Sequence, residues 1–114
     1  MRTELRRGNW QRLAQGIVLT DAHPPTRDDW AEAGVLLAGA GSAVSGWDAL
    51  RHHGIAPASP PPVPVFVLAP RGGIRTVGGV HIRRTSRPFT FRFAPGRRLI
   101  RIVQPARAVA DAAL

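Results

Sequence analysis

The spacing of apolar residues predicts two consecutive helices in the first half of the chain. Apolar residues recur at helical spacing from Trp30 to Ala38, on the same face of the helix. Thr26 suits the N-cap of this helix, and its end is expected near the glycines at 39 and 41. The second helix is predicted from Ser45, as N-cap with an acidic residue three positions on at Asp48, to the closing Gly54.

The second half reads as short strands. Residues 57–64 hold five prolines, which excludes a helix or a central strand and predicts a stiff extended connector. Strands are then expected at 65–68, 80–84 and 99–103, with a fourth at 89–93 where phenylalanines alternate with polar residues. The glycine-rich stretch from Pro70 to Gly79 is predicted to be a loop.

The two ends of the chain add further small elements. Residues 3–7 resemble the end of a short helix closed by Gly8, and residues 10–20 predict two strands around a turn at Gln15-Gly16. Pro105 suits the first turn of a final helix to Leu114, which has neither a cap nor a closing glycine, so the domain is expected to be truncated there. The predicted fold class is α+β: a helix and hairpin, two helices, a small mixed or antiparallel sheet and a C-terminal helix.

Length and composition limit the number of domains and the kinds of site that this chain can form. The 114 residues are 44% apolar and suffice for one modest domain, or a small domain with a fragment of a neighbour. The absence of cysteine excludes disulfides and thiolate metal sites. No apolar run is long enough for a signal peptide or a membrane span, which favours a cytoplasmic protein with no membrane partner.

The charge balance points to an acidic partner. All 16 basic residues are arginine, against 7 acidic residues, for a formal net charge of +9. Nucleic acid is therefore the leading class of partner. The candidate contacts form a dense N-terminal cluster, Arg2, Arg6, Arg7, Asn9, Gln11 and Arg12. Arg83 and Arg84, at the end of a predicted strand, form a weaker second cluster with Arg87 just beyond it. A solvated surface is the alternative explanation for the first cluster.

The sequence offers no convincing catalytic or metal centre. The histidines at 23, 52, 53 and 81 lack metal-ligand spacing. His53 is better explained as a helix-end residue that favours the negative pole of the helix dipole or bonds a free carbonyl. Helix capping accounts for the acidic residues at 28, 29, 32 and 48, and residues 57–104 contain no acidic residue at all. Since a metal-dependent nuclease needs clustered carboxylates, we expect a protein that is not an enzyme and uses no cofactor.

The order of short motifs resembles the AbiEi-type antitoxin family of actinobacteria. The motifs that carry the resemblance are Leu5-Arg6-Arg7-Gly8, Gly16-Ile17-Val18, Ala43-Val44-Ser45, His53-Gly54, Pro64-Val65-Phe66-Val67, Gly79-Val80-His81-Ile82-Arg83 and Pro105-Ala106-Arg107. In many related chains the same N-terminal region precedes a restriction-endonuclease-like domain known as DUF559. The resemblance spans nearly all 114 residues, although each motif is short.

The resemblance implies a regulator with two parts. Residues 1–21 would be a partial winged helix-turn-helix, comprising the end of the recognition helix and the wing, because the two preceding helices of the family pattern are missing. Arg6, Arg7, Asn9 and Arg12 would then contact DNA. Residues 22–114 would be an antitoxin-like α+β domain.

Such a protein would bind its own operator to repress its operon, and it would counteract a nucleotidyltransferase-like toxin. Two alternatives stay open on the sequence. One is the accessory N-terminal portion of a DUF559-type endonuclease-like protein, and the other is a protein-interaction module that binds a toxin without contacting DNA.

Overall fold

The computed structural model describes residues 11–14, 17–19, 24–55, 59–97 and 99–112. These ranges contain eight strands and three helices. In chain order they are β1 Gln11–Ala14, β2 Ile17–Leu19, α1 Arg27–Ala38, β3 Ala43–Ser45, α2 Gly46–His52, β4 Val65–Ala69, β5 Arg75–Val77, β6 Val80–Arg84, β7 Phe91–Phe93, β8 Arg101–Val103 and α3 Pro105–Ala112.

Six of the strands form one mixed sheet in the order β5-β6-β4-β3-β8-β7. The central strand β3 is antiparallel to β4 and parallel to β8, and β4 is parallel to β6. The edge strands β5 and β7 pair antiparallel with β6 and β8. The predicted α+β class is confirmed, but the sheet is larger than predicted and its order places strands from both halves of the chain side by side.

Two of these strands, β3 and β5, were not predicted from the sequence. β3 has three residues, all buried, between the end of α1 and the start of α2, and three residues are too few for an alternating pattern. β5 lies inside the stretch from Pro70 to Gly79, so the prediction of a loop over that whole stretch is wrong. Because β5 is an exposed edge strand, it lacks the apolar residues that mark a buried one.

Alternate residues of β4 face different helices. A Cβ built on Gly34 of α1 would come within 2.9 Å of both Val67 and Val80, so α1 packs closely on that face of the sheet. Phe66 points to the opposite face, where the Cβ position of Gly46 in α2 lies 3.8 Å from it. The helices α2 and α3 pack against each other and on β3. The sheet is therefore enclosed between α1 on one face and the α2–α3 pair on the other.

The two predicted helix starts have different outcomes. Thr26 caps α1, as predicted, and the structure adds a complete capping box with Asp29. Ser45 occupies the N-cap position of α2, but its hydroxyl makes no capping bond and donates to Asp111 of α3 instead. Asp48, the acidic residue expected to support this cap, is buried and paired with Arg27. Ser45 is thus the N-cap residue, as predicted, but neither its side chain nor that of Asp48 caps the helix.

At the N-terminal end the structure shows the predicted hairpin. β1 and β2 pair antiparallel as a separate two-stranded sheet, with Gln11 opposite Leu19 and Arg12 opposite Val18. The helix predicted at residues 3–7 lies outside the described residues. The hairpin is thus confirmed, whereas the partial winged helix and its boundary at residue 21 stay predictions.

The helices of the described residues include none with the length and apolar character that spanning a membrane requires.

Candidate functional site

The predicted nucleic-acid contacts fall in two different situations. Arg2, Arg6, Arg7 and Asn9 lie outside the described residues. Gln11 and Arg12 lie on strand β1, which places them on the hairpin. The proposed wing residues are therefore on a β-ribbon, which is the element type expected of a wing.

Arg83 and Arg84 do not form one patch. They are consecutive residues of β6, so their side chains point to opposite faces of the sheet. Arg83 is in register with Leu68 on the α2–α3 face, whereas Arg84 is in register with Ala69 on the α1 face. Both are exposed, as is Arg87 just beyond the strand. The interpretation of residues 83, 84 and 87 as a single cluster is thus corrected.

The described carboxylates are all engaged inside the domain. Asp48 pairs with Arg27, Asp111 with Arg107, and Asp28 with both Arg51 and Arg97. Glu32 lies 3.8 Å from Arg97, and Asp29 is used in the cap of α1. Among the arginines from Arg27 to Arg107 whose side chains the structure describes, those that are exposed and have no partner for their guanidinium are Arg71, Arg83, Arg84 and Arg87. The internal ion pairs therefore leave an uncompensated positive charge on the sheet and its loops.

A groove of about 520 Å³ opens on the α2–α3 face of the sheet. Trp47 of α2, Phe66 of β4 and the connector residues Val63 and Pro64 form its apolar walls. Thr76, His81 and Arg83 approach it from β5 and β6, and Asp111 lies at its border on α3. We call this the connector groove.

The position of the connector is fixed by one arginine. The Arg27 guanidinium donates Nε and Nη2 to the two carboxylate oxygens of Asp48, each at 2.8 Å. Its Nη1 donates to the carbonyl of Val63 at 2.8 Å and, less closely, to that of Pro61 at 3.4 Å. Arg27 thus joins α1, α2 and the proline-rich segment, and a planar guanidinium is suited to this because it has five donors in a fixed geometry.

Two residues of β6 supply polar atoms to the groove. The His81 ring stacks on Phe66, with ring centroids 5.8 Å apart and an interplanar angle of 26°. Its Nδ1 is 2.8 Å from the Thr76 hydroxyl, which leaves Nε2 without a protein partner among the described residues. Arg83 follows two residues later on the same face. Both side chains therefore present free hydrogen-bonding groups to one side of the groove.

A second polar cluster lies at the start of α1, where Asp28 meets two arginines and a histidine. Its carboxylate binds Arg51 and Arg97, the latter at 2.8 Å, and is 3.0 Å from Nε2 of His52. The hydrogen bond from His52 is the main reason that the pKa of Asp28 falls from 3.8 to about 2; burial opposes the shift, and the charges of Arg51, His52 and Arg97 add to it. Burial raises the pKa of the neighbouring Glu32. The prediction that Asp28 acts through helix capping therefore misses its main contacts.

The three described histidines serve three separate contacts. His52 binds Asp28, His81 binds Thr76, and His53, the C-cap residue of α2, places Nε2 2.8 Å from the carbonyl of Val103. His53 lies at the C-terminal end of α2 and bonds a carbonyl, as predicted. That carbonyl belongs to Val103 of β8 and not to the helix. Among the described residues no three histidine or acidic side chains come together as a metal site.

Sequence reasoning missed the connector groove, although part of its signal is visible. His81 and Arg83 are two apart on a predicted strand, which indicates that they share a face. The order of the strands and the contacts of Arg27 bring Trp47 and Val63 close to them. Neither the strand order nor those contacts can be recognised from a local sequence pattern.

Comparison with known proteins gives no relative. No family model, no curated protein and no solved structure matches this chain. The resemblance to the AbiEi-type antitoxins therefore rests on the motifs of the sequence.

Proposed function

We propose that the protein is a non-enzymatic, DNA-binding regulator of the antitoxin type that binds its own operator. The observation that carries the proposal is the distribution of charge. The described carboxylates are engaged with arginines, a histidine or a helix cap, while Arg71, Arg84 and Arg87 remain exposed without partners. Positive charge that no internal carboxylate compensates is available to phosphates.

The N-terminal cluster would supply the specific contacts. Gln11 and Arg12 lie on the β1–β2 hairpin, and a hairpin can follow the DNA backbone as the wing of a winged helix does. Arg2, Arg6, Arg7 and Asn9 precede it in the chain. In this proposal the arginines beyond the strands strengthen binding to phosphate without reading sequence, and a nucleotidyltransferase-like toxin is the protein partner.

Two variants that each remove three positive charges separate these roles. The first replaces Arg6, Arg7 and Arg12 with Ala, and the second replaces Arg71, Arg84 and Arg87 with Ala. We expect fluorescence anisotropy to show that the first variant no longer distinguishes the protein's upstream duplex from a scrambled one. The second should keep that preference but weaken binding to both duplexes.

Salt dependence gives the quantitative check on the same proteins. The logarithm of affinity should fall linearly with the logarithm of NaCl concentration, with a slope of about 0.9 per phosphate contacted. Each variant should therefore lose up to about three such contacts from the slope. Equal and weak binding of the unmodified protein to both duplexes would overturn the proposal.

Exposed aromatic residues favour a second candidate function, a module that binds a toxin. Phe91 and Phe93 are 43% and 56% exposed on β7, which is an edge strand of the sheet. An edge strand has unpaired backbone groups on its outer side, and a partner protein can add a strand there.

Toxin neutralisation in cells distinguishes the two candidates. The protein would be co-expressed with any nucleotidyltransferase-like protein encoded beside it. If it acts purely by protein contact, replacing Phe91 and Phe93 with Ser should abolish neutralisation, while the triple replacement of Arg6, Arg7 and Arg12 should leave it intact. Neutralisation that survives the serine replacements would exclude β7 as the contact.

A further inference from the structure

We propose that the connector groove binds a small organic anion whose body is a flat aromatic ring system. This inference is independent of the DNA-binding function proposed above, because neither the β1–β2 hairpin nor Arg71, Arg84 and Arg87 line the groove. It begins with size: the groove volume of about 520 Å³ lies within the roughly 300–1,000 Å³ usual for small-molecule sites.

The walls of the groove suit a flat apolar body. Trp47 and Phe66 contribute aromatic surfaces, and the stacking of Phe66 on His81 extends one of them. Val63 is 54% exposed although it is apolar, and it faces the same space as Pro64. A ring placed among these residues would bury their apolar surface and stack on the aromatic ones.

The charges around the groove select an anion. Its two carboxylates are already neutralised, Asp48 by the two bonds from Arg27 and Asp111 by Arg107 and the Ser45 hydroxyl. Arg83 has no such partner among the described residues. The charge that is left over is therefore positive.

The cationic end of the groove is also geometrically suitable. His81 and Arg83 are two residues apart on one strand, so their side chains project from the same face about 7 Å apart at their bases. Since the Thr76 hydroxyl occupies Nδ1 of His81, Nε2 is the nitrogen available to a ligand. A phosphate or a carboxylate can take donors from both side chains, and hydrogen bonds to a charged acceptor are the stronger kind.

One wall of the site, the connector, is held by hydrogen bonds that need no ligand. Arg27 holds the Val63 and Pro61 carbonyls in place, and the prolines restrict the backbone of that wall. A preformed wall means that binding does not have to order the connector first, which favours affinity.

Isothermal titration calorimetry with defined probes tests the proposal. The aromatic anions are adenosine 5′-monophosphate and 2-naphthoate, and the two halves of the first are adenosine and inorganic phosphate. We expect at least one aromatic anion to bind with one-to-one stoichiometry. Adenosine and inorganic phosphate should each bind at least about tenfold more weakly than that anion, a difference of roughly 1.4 kcal/mol. Preference for the phosphate or for the carboxylate probe identifies the source of the anion.

Arg83 and Arg84 provide a matched pair of variants for this test. Arg83→Gln and Arg84→Gln remove the same charge from adjacent positions of one strand, but only Arg83 lines the groove. Arg83→Gln should weaken binding of the aromatic anion about tenfold or more, whereas Arg84→Gln should change it less than about twofold. Arg84→Gln should instead weaken binding to duplex DNA.

Three results would overturn the inference. One is the absence of heat of binding for both aromatic anions at millimolar concentration. Another is an equal loss of affinity in Arg83→Gln and Arg84→Gln, which would mean a general charge effect. The third is binding of inorganic phosphate as tight as that of adenosine 5′-monophosphate, since the ring would then contribute nothing. None of them bears on duplex binding, so the two proposals fail separately.

Discussion

Replacing Arg27 with Ala should lower the free energy of unfolding by about 3 kcal/mol or more, the largest loss expected from any single substitution considered for this protein. The side chain of Asp48 is 2% exposed, and Arg27 supplies both hydrogen bonds to its carboxylate. Without Arg27 that carboxylate is buried without its cation, and the carbonyl of Val63 loses its donor as well. Urea denaturation followed by circular dichroism measures the change.

Two further variants identify the buried charge as the cause. Replacing Arg27 with Met and Asp48 with Leu together removes both charges, so we expect this double variant to be more stable than Arg27→Ala alone. Arg71→Ala removes an exposed arginine with no described partner and should alter the unfolding free energy by less than about 0.5 kcal/mol. If the double variant is no more stable than Arg27→Ala, the unpaired carboxylate is not the origin of the loss.

The contrast between Asp29 and Asp48 shows how far local sequence determines a side chain's role. Both stand three residues after a hydroxyl side chain that precedes a helix, and the local pattern predicts a capping box in each case. Asp29 makes one because Thr26 is exposed and has no competing partner. Asp48 does not, because Arg27 reaches it from 21 residues away. Partners distant in sequence decide the outcome.

The same limit applies to the sheet. β4 was predictable as a compact apolar run and β6 from its alternation of apolar and basic residues, and their observed bounds differ from the predicted ones by one residue or none. β3 was not, although Val44 at its centre is fully buried. Its three residues become a strand by pairing with β4 on one side and β8 on the other. Pairing between strands that are far apart in the sequence produces no periodic pattern of apolar residues within the strand itself.

For the connector groove, the sequence shows which residue types are present but not that they lie close together in the fold. The proline-rich segment was correctly expected to form no regular element, and residues 59–64 belong to no helix or strand. Its role as a wall depends on the contacts of Arg27 with the carbonyls of Pro61 and Val63. A backbone carbonyl carries no sequence signature, so this contact requires the structure.

Acidification should destabilise the protein through Asp28. Its pKa is about 2 in the folded protein against an ordinary value of 3.8, chiefly because His52 donates a hydrogen bond to it. A carboxyl whose pKa is lowered by folding stabilises the protein above its unfolded pKa and loses that effect as the pH falls through the folded value. The contribution should thus be complete above about pH 5 and disappear as the pH falls towards about 2, and it amounts to roughly 2 kcal/mol.

The variant Asp28→Asn isolates this contribution. At pH 6 it should unfold with a free energy about 2 kcal/mol lower than that of the unmodified protein, and the difference should shrink as the pH approaches 2. Asp29→Asn removes a carboxylate from the same helical turn, where it bonds the backbone of Thr26 and has no cationic partner among the described residues. It should cost less than about 1 kcal/mol.

His52 gives an independent check on the cause. Because its hydrogen bond is the largest contribution to the lowered pKa of Asp28, His52→Gln should return that pKa towards 3.8, which carboxyl chemical shifts in an NMR titration would record directly. Arg51 and Arg97 remain in this variant, so the return should be incomplete. A pKa near 2 in His52→Gln would assign the shift to the two arginines, and a parallel loss of stability with acid in Asp28→Asn and the unmodified protein would remove Asp28 from the explanation altogether.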